Sequence, residues 1–345
     1  MVPRGKALQA LKDWLRTVTR DQRWCIVINA DPDAMGAAAA LKRIMAARTR
    51  VDIYRINEIT RPDNLAFMRY LHTDSAPWKE EYLEQYTHFA IVDGQPHHHK
   101  NFSGIPFSVI VDHHPPKPEE YADLDLRLVD IRPQAGATCT IFCEYLRGLG
   151  LRPSPRLATA MLLGIRTDTA LFERSGGKND FDAYQWLSAR SDPMLLRRIT
   201  RSEYLRSWLP LFSRAFRNLS ECRGTGFHAW VGDVQNADLL VAIADFFTRV
   251  HGLRWIAVSG LVQKETVVVI FRGDGTRDIG RLADACFHDV GSAGGHRSLG
   301  RAEFPVSAVP EGETCLNFIL NRLHKRKLRP KKDPLAKPAP ADREK

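Results

Sequence analysis

The residues best suited to chemistry in this sequence are acids and imidazoles that follow apolar runs. "CIVINADPD" carries Asp31 and Asp33 two positions apart, with Asn29 just ahead of them. "HFAIVDG" ends in Asp93, "FSVIVDHH" ends in Asp112, His113 and His114, and "LLGIRTDTALF" carries Asp168. Gathered in one crevice, four carboxylates would be intolerable without cations. Carboxylate oxygens with one imidazole suit Mn²⁺, with Mg²⁺ or another divalent ion as a substitute. Two such ions ~3.5–4 Å apart can activate a water and stabilise a phosphoryl oxygen. Each acid alone also has a plainer use, since a strand-end aspartate is often a turn or cap residue and an acid at a helix N-terminus is favourable. Capping accounts for one of Asp31 and Asp33 better than for both.

Convergence of these groups depends on the elements that carry them. Apolar runs at 25–30, 51–56, 88–94, 107–114 and 126–131 read as buried strands, and helix-like stretches such as the alanine-rich Ala37–Met45 separate most of them. That alternation predicts an α/β domain with a mainly parallel sheet. Ligands of such sheets bind beyond the C-terminal edge of the strands, which is where Asp31, Asp33, Asp93 and residues 112–114 fall. Helical stretches near 137–148 and 155–170 follow, and Asp168 at the end of the second could reach the same edge.

The first domain is expected over 1–190. Residues 191–224 carry apolar positions at helical spacing with many arginines and read as a helical connector. New strand patterns, "FHAWVGDV", "LRWIAVSGLV" and "ETVVVIFRG", open a smaller α/β domain over 225–323. There, "GSAGGHRSLG" brings Gly294 and Gly295 up to His296. Glycines let backbone N–H groups approach a phosphate closely, and an imidazole or arginine can finish the clamp. From the glycines alone, a tight turn before a last strand is the favoured reading. Arg272, at a strand end, is either a second clamp residue or an ordinary surface arginine. "RGDG" at 272–275 reads as a hairpin turn, and His97, His98 and His99 read as loop histidines, because adjacent side chains diverge too much to share one ion.

The totals constrain the rest. A chain of 345 residues with 44% hydrophobic and 26% charged residues has the make-up of a soluble globular protein with room for two cores. No apolar run approaches the ~20 residues of a membrane helix, and the N-terminus lacks a secretory apolar stretch, so a cytoplasmic location without membrane contact is expected. The six cysteines show no C-x-x-C pair, and Cys139 and Cys143 read as core thiols. Of the +10 net charge, +6 lies from Lys325 onward. The lysine- and proline-rich tail, 324–345, is expected to be disordered and either attracts nucleic acid or is simply solvated.

"VDHHP" at 111–115, with "DPDAMG" upstream and "AGGHRSLGR" downstream, resembles the DHH/DHHA1 phosphoesterases over roughly 20–325. That family includes RecJ-like exonucleases, bacterial nanoRNases, cyclic-dinucleotide phosphodiesterases and exopolyphosphatases. The resemblance implies a parallel-sheet DHH domain joined by a helical connector to a smaller α/β DHHA1 domain. It implies that Asp31 binds one Mn²⁺ and Asp33 the other, that Asp93 bridges both, and that His113 and Asp168 are further ligands. His114 matches the histidine that faces substrate or supports the leaving group, with Asp112 orienting the pair from behind. Gly294, Gly295 and His296 match the family's substrate-binding Gly-Gly-His, with Ala293 replacing the preceding glycine. Many members carry a histidine where this chain has Val27, which cannot bind metal. RecJ-like members carry an aspartate at Asn29, whose carbonyl is a weaker ligand. The two metal sites are therefore expected to be unequal, the one near Asp31 being the weaker.

The expected activity is metal-dependent hydrolysis of phosphodiester bonds in short RNA or DNA oligonucleotides or dinucleotides, with the second domain gripping the substrate. An exopolyphosphatase or nucleoside-phosphate phosphatase is the alternative within enzymes. A nucleotide-binding or sensory protein with a degenerate metal centre is the alternative outside them. A homodimer is left open.

Overall fold

The computed structural model describes residues 4–325 apart from 74, 174–176, 203 and 223–225. The basic tail, beyond residue 325, lies outside them. The chain forms two compact units that divide between Tyr204 and Leu205.

The first unit runs α1 (Arg4–Thr17), β1 (Arg23–Ile28), α2 (Pro32–Met45), β2 (Arg50–Arg55), α3 (Pro62–Leu71), β3 (Ala76–Pro77), β4 (His88–Val92), β5 (Phe107–Asp112), β6 (Leu128–Ile131), α4 (Thr138–Gly148), α5 (Pro155–Asp168), α6 (Lys178–Ser188) and α7 (Pro193–Thr200). Its six strands pair in the order β3-β2-β1-β4-β5-β6, all parallel. The order reverses between β1 and β4, and such a switch point opens a crevice at the C-terminal ends of the two strands. Alternation along β1 sends Trp24, Ile26 and Ile28 into the core beneath the helices, and Cys25 and Val27 into a second cluster with Phe89, Ile91, Phe102 and Tyr121.

Helix α2 starts at Pro32, five residues before its alanine-rich stretch. Asp31 caps it by accepting the Ala34 N–H, and proline at the first position is pre-set for a helix. The run of alanines has a packing reason. Ala37, Ala38 and Ala40 are fully buried, and α4 and α5 both pack on this helix. A Cβ on Gly36 would come within 2.8 Å of the Cys139 sulfur. One on Gly164 of α5 would come within 2.9 Å of the Asp33 Cα.

The second unit holds α8 (Leu209–Arg217), β7 (Leu219–Cys222), β8 (Gly226–Val234), α9 (Asp238–Phe247), β9 (Trp255–Val262), β10 (Thr266–Gly273), α10 (Ile279–Phe287), β11 (Ser292–Gly295), β12 (Leu299–Pro305) and α11 (Cys315–Lys325). Its sheet, β11-β12-β10-β9-β8-β7, is mixed: β8 and β9 run parallel and the other described pairs are antiparallel. The fold is thus α/β in both units. The stretch read as a connector, 191–224, divides between them. Its first helix, α7, packs on α3 and α5, whereas α8 packs on β8 and Leu219–Cys222 is an edge strand of the second sheet. Arg272–Gly275 leaves β10 toward α10 instead of turning a hairpin. No helix of the described residues is long and apolar enough to cross a membrane.

Candidate metal centre

Four predicted ligands meet at the switch point of the first sheet. One ligand atom from each of Asp33, Asp93, His113 and Asp168 lies within 4.8 Å of the others. His113 Nε2 is 3.4 Å from Asp93 Oδ1 and 3.3 Å from Asp168 Oδ2, and among the described residues it is buried without a hydrogen-bond partner. Its Nδ1 lies 3.2 Å from the Ala135 carbonyl, which fixes Nδ1 as the donor and turns Nε2 toward the acids. Asp93 sits just past β4 with φ of +56°, a left-handed backbone that aspartate tolerates better than most residues.

The two opening aspartates have separate tasks. Asp31 caps its own helix, and its carboxylate is not one of the four that meet. Asp33 is fully buried and accepts the Thr138 N–H at 2.5 Å and the Cys139 N–H at 2.9 Å. It thereby caps α4, which has no side-chain cap of its own. Asn29 lies exposed just past β1, and Val27 is buried in the second cluster.

Electrostatics describe a site short of positive charge. Burial, reinforced by Asp168, lifts Asp31 to about 6 and Asp33 to about 7. Burial and then Asp33 and Asp31 raise Asp93 well above the usual carboxylate range. Burial pulls the His113 imidazole down, but Asp168 and Asp33 more than offset that and lift it to about 9. Protons thus do the work a cation would do. Three carboxylates and one orphaned inward nitrogen fit a hard divalent ion.

Asp112 and His114 form a second constellation beside the first. Asp112, fully buried, accepts from His114 Nδ1 at 2.9 Å on one oxygen and from Gln95 Nε2 at 2.7 Å on the other. Burial works to raise this carboxyl, yet the hydrogen bonds from His114 and Gln95 hold it below its usual value. The His114 side chain is 45% exposed. His98 approaches with its ring edge-on, 5.2 Å between centroids, so one of the three loop histidines belongs to this edge after all. His98, Asp112 and His114 have ligand-type spacing. However, both Asp112 oxygens already accept hydrogen bonds, and His98 Nδ1 accepts the Gln95 N–H, which leaves the proton on Nε2. In this arrangement the trio is a hydrogen-bonded edge.

Several participants carry no signal in the sequence. Thr138 donates its hydroxyl to Asp93 at 2.9 Å, and Asp180 holds Gly136 N–H and the Thr140 hydroxyl from below. Gln95 and Ala135 read as ordinary loop residues. Cys139, expected as a core thiol, is buried and also supplies a backbone N–H to Asp33.

In the second unit, Gly294 and Gly295 end β11 and His296 opens the turn into β12, closed by His296 N–H to the Leu299 carbonyl at 2.7 Å. Gly295 has φ of +145°, and a Cβ there would sit 2.2 Å from the Leu299 oxygen. A Cβ on Gly280 would sit 2.4 Å from the Gly295 carbonyl carbon. His296 is exposed. The three residues and Arg272 line a cavity of about 500 Å³. Arg272 is tied down there, donating to Asp245 at 2.6 Å and to the Phe271 carbonyl at 3.0 Å.

Comparison with known proteins adds an independent line. Residues 23–165 match the DHH family, N-terminal domain. The chain is 30% identical over 297 residues to an uncharacterized protein of Methanocaldococcus jannaschii, covering 85% of this chain and 60% of that protein. It is 27% identical over 221 residues to the cyclic-di-AMP phosphodiesterase GdpP of Geobacillus thermodenitrificans, covering 62% of this chain and 32% of that protein. The chain therefore spans less than two thirds of the length of either curated relative. The crystal structure of an exopolyphosphatase-related protein from Bacteroides fragilis matches with a TM-score of 0.67 at 14% identity, covering 92% of this chain and 95% of that one. At that identity the likeness is one of fold.

Proposed function

Residues 23–165 match the DHH family, and from that premise we propose that the chain is a DHH-family, cytoplasmic, divalent-cation-dependent phosphoesterase that cleaves phosphodiester bonds in short oligonucleotides or dinucleotides. The observation that carries this reading is the meeting of Asp33, Asp93, His113 and Asp168 with an orphaned imidazole nitrogen among buried acids. These four residues would hold the tighter ion, Mn²⁺ or Mg²⁺, with Asp93 shared with a second, weaker site near Asp31. When bound, such ions neutralise charge on a phosphoryl group and make water a competent nucleophile. His113 holds its metal-facing nitrogen inward through Ala135. Asp33 stays fixed by the α4 N–H groups. His114, backed by Asp112, turns Nε2 to the substrate. In the second unit, the DHHA1-like unit of this reading, Gly294, Gly295 and His296 take a substrate phosphate on backbone N–H groups and imidazole, with Arg272 beside them. The Geobacillus relative is named for a phosphodiesterase activity on a cyclic dinucleotide, which supports a small phosphodiester substrate here.

The test is an assay of the purified protein with Mn²⁺ against 5′-labelled di- to decanucleotides, pApA, cyclic dinucleotides and polyphosphate. Release of mononucleotides from the shortest substrates, abolished by chelator, is the expected result. Cleavage of polyphosphate alone would replace this reading with an exopolyphosphatase. No hydrolysis with Mn²⁺ or Mg²⁺ would leave a nucleotide-binding protein with an inert centre.

A further inference from the structure

Gln95 is fully buried, and a buried primary amide is costly unless its donors and acceptor are matched. Here the match is one-directional. The Nε2 end faces three acceptors: Asp112 Oδ2 at 2.7 Å, the Pro115 carbonyl at 3.2 Å and the His114 carbonyl at 3.4 Å. The Oε1 end faces a donor, the Lys117 N–H at 3.3 Å. Reversing the amide would set oxygen against three oxygens, so its orientation is settled by its surroundings. A glutamate of the same shape would meet the same conflict.

We infer that Gln95 is a positioning residue: through Asp112 it holds the His114 imidazole with its proton on Nδ1, leaving Nε2 as the nitrogen offered to substrate. The amide pins one carboxylate oxygen of Asp112, which leaves the other for His114 Nδ1 at 2.9 Å. It also ties down the backbone on both sides of His114, through carbonyls 114 and 115 and the N–H of Lys117. Its own N–H goes to His98 Nδ1 at 3.2 Å, so one residue arranges both exposed imidazoles of this edge. Gln95 stands two residues beyond Asp93, whose left-handed backbone redirects the chain there. One short turn thus delivers a carboxylate to the cluster and an amide beneath the Asp112–His114 pair. The inference rests on the proposed reading of His114 as the substrate-facing histidine.

The experiment compares Gln95→Leu, Gln95→Glu and His114→Ala, singly and with Gln95→Leu in the His114→Ala background. Steady-state hydrolysis of pApA is the first readout. Each Gln95 variant should lose about 10–100-fold in kcat, the usual scale for a supporting residue, with little change in KM. In the His114→Ala background, Gln95→Leu should change kcat by less than about twofold, because two residues acting as one unit do not add. Independent, multiplying losses or a wild-type kcat would overturn the inference. The second readout needs no turnover: imidazole ¹⁵N spectra of the Mg²⁺-loaded protein should show His114 protonated on Nδ1 in the wild type and redistributed toward Nε2 in both Gln95 variants. The same tautomer in all three proteins would overturn it, as would failure of both variants to fold, which would make Gln95 a scaffold residue. If the wild type hydrolyses no phosphoester, the proposed function falls and the spectra still decide this inference.

Discussion

The acid cluster of the first unit and the Gly-Gly-His turn of the second present their groups by contrasting means. In the first, buried like charges are forced together, and backbone N–H groups, a threonine hydroxyl and an imidazole hold them in a conflict that protons or cations relieve. In the second, space is the controlling quantity: the backbone at Gly295 passes so close to Gly280 and Leu299 that no side chain fits. The first site should therefore fail when charge changes at constant shape, and the second when shape changes at constant charge.

The largest effect expected from that contrast is at Asp93. Asp93→Asn keeps the shape and removes one charge, so activity should fall at least ~10²-fold, as when an electrostatic stabiliser is lost. The metal-free protein should melt higher at alkaline pH, where Asp93 sheds the proton that its burial and the neighbouring acids make it hold, because a repulsion is then gone. Activity within about threefold of wild type in the phosphoesterase assay would break the comparison.

Next is Gly280→Ala, which adds one methyl group to a neutral position. It should displace the Gly295–His296 backbone and lower kcat/KM by about tenfold, roughly 1.4 kcal/mol. His296→Ala should cost about the same, with metal affinity by calorimetry unchanged in both. Loss of metal binding in either variant would mean that the two sites are not separable in this way.

The acid cluster should also write itself into the pH dependence of stability. Asp33 titrates near 7 folded against a usual 3.8, and His113 near 9 against 6.5. Both bind protons more tightly in the folded state, so their contribution is lost as pH rises through the folded values. Buried His228, held down to about 3, works in the opposite direction but has finished titrating in both states well above 6.5. In chelator, Tm should therefore fall between pH 6.5 and 9, and Mg²⁺ should flatten the decline. A metal-free Tm that is level across this window would contradict the charge conflict.

The smallest difference separates the opening aspartates. Asn is as good a helix cap as Asp, so Asp31→Asn should leave stability within about 0.5 kcal/mol. Asp33→Asn sets an NH₂ against one of the two N–H groups that it accepts in α4, and should cost about 1–2 kcal/mol by chemical denaturation. Equal effects would remove the distinction between them.

The strands that carry the acids were legible because each is a short unbroken apolar run with its charge at the C-terminal end. The parallel sheet then leaves one edge for those charges to share. The start of α2 was displaced in the sequence reading because alanines advertise helix more loudly than a capped Asp-Pro. Gln95, Thr138 and Asp180 were not legible. A buried glutamine in a loop has no periodicity, and its value lies in partners 17 or more positions away. The division of 191–224 was also hidden, since helical spacing says that a face is buried but not which sheet buries it.

Gly164 and Asp168 lie one turn apart on one face of α5, and that face touches the backbone of Asp33. The gap between the Asp33 and Asp168 carboxylates is therefore governed by how near two helices come, a distance that a single missing methyl group permits. Oxygen ligands stand about 2.0–2.1 Å from Mg²⁺ and 2.3–2.6 Å from Ca²⁺, a difference comparable with the shift a Cβ at Gly164 would impose. Preference for a small or a large ion would then be tuned by helix packing behind the ligands, with every ligand left unchanged.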